Sequence, residues 1–219
     1  MDLQVFHAAS SGNLSFFENL SESGRNTGQQ VTIGKNTVLH VVLQFKQFEA
    51  ARRIVNLFPS LVYVVNSRGN TPLHIAARIG EHSMVKLLMD EDKIQDIETG
   101  GRQKLLSMRN LDGDNALHVA VQHGNLEVVK ELISERDPGE LASQKNNAGE
   151  SALFLAVDRQ DYGMASYILD NAPDCSYDGR HGMNVLHALV IHTSTCKCCP
   201  ILLLKYMGCV YFAYTSQSN

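Results

Sequence analysis

Thr71-Pro72-Leu73-His74-Ile75-Ala76-Ala77 decides how this chain folds. A threonine before an apolar run is an N-cap, because its side-chain oxygen accepts one of the orphaned N–H groups of a helix start. Proline fits the first helical position, where no N–H partner is lost. Leu73, Ala76 and Ala77 then recur at helical spacing, and Gly80 suits the left-handed C-cap. The same script returns at Thr37-Val38-Leu39-His40, Asn115-Ala116-Leu117-His118, Ser151-Ala152-Leu153-Phe154 and Asn184-Val185-Leu186-His187. Its leucines, Leu39, Leu73, Leu117, Leu153 and Leu186, are 34, 44, 36 and 33 residues apart. A period of this length makes each copy one supersecondary unit that buries its apolar face only against its neighbours.

The clearest unit runs from Asn66 to Glu91. Asn66-Ser67-Arg68-Gly69 reads as a tight turn, with Gly69 suited to positive φ. Met84, Val85, Leu87 and Leu88 form the apolar stripe of a second helix. The alanines of the first helix let the next helix pair come close. From Asn110 the order repeats: Asn110 to Gly113 is the turn, Gly124 the stop, and Val128, Val129, Leu132 and Ile133 the second stripe. A third copy runs from Asn146 to Leu169, where Phe154 replaces the histidine and Asp161 is expected where the interhelix glycine belongs. An earlier copy starts near Lys35, with Lys46 in the place of that glycine.

Ala8-Ala9 to Gly12 aligns with Ala76-Ala77 to Gly80, so residues 1–33 are expected to hold a degenerate capping repeat (Phe16, Phe17, Leu20) followed by a Ser-, Gly- and Gln-rich loop over 21–33. Residues 34–192 then hold about four further units. The 44-residue spacing places an insertion near 93–104, with Thr99-Gly100-Gly101-Arg102 as its turn. Residues 193–219 form a divergent tail.

These residues resemble the ankyrin-repeat family over about Val5–His192, most of the chain, and the Thr-Pro-Leu-His-Ile-Ala-Ala match is specific in this periodic setting. The resemblance implies an all-α solenoid of stacked helix-turn-helix units joined by β-turn or hairpin loops. A narrower likeness joins Asn36-Thr37-Val38-Leu39-His40, Pro59-Ser60-Leu61, Gly69 to His74 and Leu106-Ser107-Met108-Arg109-Asn110. That combination looks like the plant ankyrin proteins of the accelerated-cell-death type, whose repeats precede a Pro-Gly-Gly motif and membrane-spanning helices. Their implied setting is defence and stress signalling, with the repeats in the cytosol and the anchor in the plasma membrane. Here no Pro-Gly-Gly occurs and Ser194-Thr195-Cys196-Lys197-Cys198-Cys199-Pro200 follows His192, which leaves three alternatives: a truncated product, a differently spliced one, or a mis-assigned gene end.

The bulk numbers exclude other classes. Apolar residues make up 44% and charged residues 19%, enough for a continuous core. A formal charge of −4 with scattered Lys and Arg offers no basic stripe for nucleic acid. No run approaches the roughly 20 apolar residues of a spanning helix. Met1-Asp2-Leu3 opens neither a secretory signal nor a myristoylation site. Five cysteines, odd in number and all at or after Cys175, suggest reduced thiols and a cytoplasmic setting.

No catalytic motif is found, and neither a cofactor nor a small-molecule substrate is expected. Asp90-Glu91-Asp92 reads as a solvated helix end. His40, His74, His118 and His187 lie about one repeat apart, too far to share a metal ion whose nitrogen ligands stand near 2 Å. The resemblance implies that each ties its turn by hydrogen bonds beside caps such as Thr37 and Thr71. His187, His192, Cys196, Cys198 and Cys199 offer soft ligands, but Cys-Lys-Cys-Cys matches no paired knuckle, so no metal site is assigned. Acylation of Cys198 or Cys199 beside Ile201-Leu202-Leu203-Leu204 is the membrane route other than a missing anchor.

Family resemblance places partner binding on the turn tips and the exposed side of the first helices. By position the tips are Ser67, Arg68 and Asn70; then Leu111, Asp112 and Asp114; then Asn147, Ala148 and Glu150. The first helices contribute Gln44, Phe45, Arg78, Ile79, Gln122, His123, Asp158 and Arg159. Phe45, Ile79 and Leu111 are apolar where solvent is expected, as in a protein-binding patch, or they pack on neighbouring repeats. The expected function is a protein-interaction scaffold in plant defence or stress signalling. The alternatives are the soluble part of a membrane-anchored regulator and a targeting subunit that recruits an enzyme.

Overall fold

The computed structural model describes residues 1–18, 30–99, 105–134 and 138–192. The chain forms two compact units, Met1–Leu111 and Asp112–Asn219. Among the described residues all regular structure is helical, apart from the isolated bridges Lys145–Ser151 and Asp178–Asn184 at the turns.

In the first unit, α1 (Leu3–Ser11), α3 (Val38–Gln44) and α5 (Pro72–Ile79) form an inner row, and α2 (Leu14–Glu18), α4 (Phe48–Leu57) and α6 (His82–Thr99) an outer row. The middle hairpin holds them together: α3 packs between α1 and α5, and α4 between α2 and α6. The small residues expected on the inner helices make this approach possible, for Ala9 and Ala77 are fully buried beside Leu39 and Leu73. In the second unit, α7 (Ala116–Gln122), α10 (Ala152–Asp158) and α12 (Val185–His192) form the inner row, with α10 in the middle. Behind it, α8 (Leu126–Ile133) packs on α11 (Tyr162–Asn171), and α9 (Pro138–Ser143) on α8. Leu117 and Leu153 are fully buried, whereas Leu186 is only half-buried.

After Leu39, Leu73, Leu117 and Leu153 the turn from inner to outer helix needs a left-handed residue seven positions on. Gly80 fills that place at φ 85°, but Lys46 (φ 57°) and Gln160 (φ 61°) also adopt it. The expectation for Asp161 is therefore corrected by one residue. Gln160 takes the left-handed place, and Asp161 caps α11, its carboxylate accepting the Met164 N–H at 3.0 Å. A side chain in this region costs about 1 kcal/mol, which the burial of both flanking helices outweighs.

The expected insertion begins as helix, since α6 continues to Thr99; its Gly100-Gly101-Arg102 turn lies outside the described residues. The solvated reading of Asp92 is overturned. Asp92 is 8% exposed and accepts the Tyr63 hydroxyl at 2.8 Å and the Leu105 N–H at 3.2 Å. It thereby ties the chain beyond the insertion to the 3₁₀ turn Pro59–Tyr63. Leu20, Arg102 and the whole tail, with its acylation and metal-ligand candidates Cys196, Cys198 and Cys199, lie outside the described residues. Cys175 is buried and carries no disulfide. Among the described residues no helix is long and apolar enough to cross a membrane.

The two units differ in charge. Met1–Leu111 holds twelve Lys and Arg against ten Asp and Glu, a formal +2; Asp112–Asn219 holds seven against thirteen, a formal −6.

Candidate functional site

Four inner helices, α3, α5, α7 and α10, start at buried caps, Thr37, Thr71, Asn115 and Ser151. Thr37, Thr71 and Asn115 each accept the N–H of the histidine three residues on, and the imidazole Nδ1 accepts the cap residue's own N–H in return. The other ring nitrogen reaches across to the next repeat. His40 Nε2 donates to the Asn70 carbonyl at 2.9 Å, and His118 Nε2 to the Glu150 carbonyl at 3.1 Å. A carbonyl can only accept, so the His40 proton sits on Nε2, and Thr37 Oγ1 donates to Nδ1 at 2.8 Å. Each such ring fastens one helix start to the following turn. His187 differs: it meets its cap Asn184 at 2.7 Å but is exposed.

His40 is wholly buried, and this pushes its pKa down to about 4; the Asn70 carbonyl opposes the shift and His74 adds to it. The folded state thus refuses a proton that the unfolded chain takes up near pH 6.5. This residue's contribution is complete above about pH 6.5 and is lost as pH falls towards 4, for a total of about 3 kcal/mol. Urea midpoints of the full chain should therefore drop across that window. An identical acid limb in His40→Phe would assign the loss to other groups.

Beyond the caps, the projecting turns hold one another through the backbone. Ser67 N–H donates to the Gly34 carbonyl at 2.9 Å and Leu111 N–H to the Arg68 carbonyl at 3.0 Å; in the second unit Asn147 N–H donates to the Asp112 carbonyl at 3.0 Å. Turns this close leave no room for a Cβ. At Gly113 (φ 78°) it would stand 2.6 Å from the Asn147 nitrogen.

An asparagine ladder runs alongside. Asn66 Nδ2 donates to Asn36 Oδ1 at 2.9 Å, Asn110 Nδ2 to Asn70 Oδ1 at 3.1 Å, and Asn146 Nδ2 to Asp114 Oδ1 at 3.0 Å. Each of Asn66, Asn110 and Asn146 lies seven residues before its repeat leucine, and Gly179 holds that place in the last copy. There Arg180 takes over, donating to Glu150 at 2.9 Å and Asp158 at 2.7 Å with its guanidinium 5.7 Å from the centre of the Phe154 ring. Phe154 and Gly179 are a matched pair: a Cβ on Gly179 would fall 2.2 Å from the ring.

This network sorts the expected interaction residues. Ser67, Arg68, Leu111, Asp112 and Asn147 are exposed at the tips, and Gln44, Phe45, His123 and Arg159 on the inner helices. Asn70, Arg78, Ile79, Gln122 and Asp158 are half-buried. Asp114 and Glu150 are 4% and 7% exposed, contrary to the expectation that they project from the tips. Both carboxylates accept from Asn146, and Gln122 closes on Asp114 at 3.1 Å, so their work is internal. Phe45 satisfies both readings made of it, since it meets the Phe6 ring edge-on at 6.1 Å yet remains 49% exposed. Leu111 is 70% exposed. The sequence reading passed over Ile33, which is fully exposed at the tip equivalent to Ser67 and Leu111. Its position, six residues before Leu39, was the available signal. Among the described residues no group of three or more His, Cys, Asp or Glu is placed to hold a metal ion.

Capped inner helices, outer helices and turns laced across a period near 33 residues define a helical-repeat protein. The chain belongs to the ankyrin-repeat family: a three-copy ankyrin-repeat model matches residues 5–100, 99–178 and 117–212. It is 29% identical over 163 residues to leucine-rich repeat serine/threonine-protein kinase 1 of Caenorhabditis elegans, covering 66% of this chain and 7% of that protein. It is 26% identical over 163 residues to protein ACCELERATED CELL DEATH 6 of Arabidopsis thaliana, covering 72% of this chain and 24% of that protein. The chain thus spans less than a quarter of the length of either relative. Its fold matches the crystal structure of the ankyrin repeat domain of Bcl-3, an IkappaB family member, with a TM-score of 0.68, 22% identity, and coverage of 85% of this chain and 79% of that one.

Proposed function

We propose that this chain is a non-enzymatic scaffold, working in the cytosol, that binds a polypeptide partner along its turns and inner helices. The observation that carries this reading is the exposure of large apolar side chains on a surface held rigid by hydrogen bonds. Phe45 and Leu111 lie outside the core while the backbone that presents them is fixed by the caps and the turn ladder. Preorganised apolar groups rimmed by polar ones lose little entropy when a partner covers them. Proximity labelling in cells, comparing the chain with a Phe45→Ser, Ile79→Ser, Leu111→Ser triple variant, tests it. The expected result is loss of a defined subset of partners, with the circular dichroism spectrum retained. An unchanged partner set removes the assignment.

The 26% identity with ACCELERATED CELL DEATH 6 over 72% of the chain favours a second, finer reading: a part in plant defence or stress signalling as the cytosolic portion of a membrane-attached regulator. Co-fractionation of the native gene product with the plasma membrane would support it, and a wholly soluble product would end it.

A further inference from the structure

A cleft of about 360 Å³ opens in the first unit between two turns and the inner helices α3 and α5. Its wall carries no carboxylate; the polar side chains that decide its chemistry are Asn36, Asn70, Gln44, Arg68 and Arg78. The ladder fixes which way the asparagines face. Asn66 Oδ1 accepts the N–H groups of Arg68 at 2.9 Å and Asn70 at 3.1 Å, so its other atom is the donating Nδ2. That Nδ2 takes up Asn36 Oδ1, and Asn110 Nδ2 takes up Asn70 Oδ1 in the same way. The acceptors of Asn36 and Asn70 are therefore consumed by the ladder. Their Nδ2 groups, bonded to none of the described residues and not buried, are the parts left for the cleft. The Arg68 side chain is exposed at the rim and is likewise bonded to none of the described residues.

We infer that this cleft takes a carboxylate from an acidic segment of the partner polypeptide. This rests on the scaffold reading and names one part of its partner's chemistry. A site that presents the Asn36 and Asn70 amide N–H donors and the Arg68 guanidinium, with the Oδ1 acceptors of both asparagines occupied, suits a planar anion. This unit carries a formal +2 within a chain of formal −4, so any charge attraction for a negative segment is local to it. The equivalent position in the second unit holds Asp114, so the donor set is a property of the first unit's residues and not of the repeat in general.

The test is an NMR titration of the full chain with a capped Gly-Ser decapeptide carrying four glutamates. The expected result is saturable shifts of the Asn36 and Asn70 side-chain amides and the Arg68 Nε–H. A matching four-glutamine peptide should leave them in place. Arg68→Gln should weaken the glutamate peptide roughly tenfold, with unchanged melting because the side chain is exposed. Shifts spread over other basic residues, or undiminished in Arg68→Gln, would overturn the assignment. So would shifts produced only by a phosphoserine version of the peptide or by inorganic phosphate. Partner labelling that is lost in the Phe45/Ile79/Leu111 variant but kept in Arg68→Gln would leave the scaffold standing and remove this cleft from it.

Discussion

Gly179→Ala is expected to destabilise the second unit by about 3 kcal/mol, the upper end for overpacking a closed core. The backbone there is extended (φ −136°), so conformation does not demand glycine. Space does, because the added Cβ would stand 2.2 Å from two carbons of Phe154, a wholly buried ring. That ring cannot retreat, since Ser151 caps its helix and Arg180 lies over its face. The protein therefore either tilts α10 or opens the turn before α12. Hydrogen exchange should rise in α10 and α12, which pack together, and urea unfolding should lose cooperativity as nearest-neighbour coupling weakens. The double variant Phe154→His, Gly179→Asn restores the residue pair found at His118 and Asn146. It should recover most of the loss, giving a coupling energy of at least 1 kcal/mol in a double-mutant cycle. Additive single effects would refute the pairing.

His118→Ala should cost the same unit about 3 kcal/mol, from a cavity and a stranded donor together. The Asn115 N–H points at His118 Nδ1 (3.4 Å) in a place with no water access, and the Glu150 carbonyl loses a partner at 3.1 Å. The Glu150 carbonyl still accepts the Asn146 N–H, which limits the damage there. Differential scanning calorimetry should show the lowered transition. Binding of whatever partner is found should fall only in step with the folded fraction. A selective loss of binding at unchanged stability would mean that the imidazole contacts the partner, contrary to its burial.

Much of this was legible in advance because the signals are local. A cap, a proline at the first helical position and an apolar stripe act within four or five residues of one another, so Thr71, Pro72 and Leu73 declare their helix without help from elsewhere. In this register Gln160, seven residues after Leu153, takes the left-handed place expected of Asp161, and with no glycine at either position only that count separates the two. The candidate surface was legible only in outline. Tip positions follow from the period, but accessibility depends on what the adjacent turn brings. Asp114 and Glu150 look like projecting acids in one dimension; Asn146, 32 residues beyond one of them, and Arg180, 30 beyond the other, draw both inward.

By itself, then, the sequence determined the repeat length, the helix starts, the buried leucines and the family, because each is written in short-range patterns that recur. Tertiary structure decided the chemistry of the surface: which amide nitrogens of Asn36 and Asn70 remain to meet a ligand, which carboxylates are taken up, and why Gly179 faces Phe154. Those outcomes depend on contacts between residues about 25 to 40 apart, set by how each turn registers on the one before it. A hydrogen bond once made removes that atom from the surface, so the offered surface is what remains after the repeats have satisfied one another.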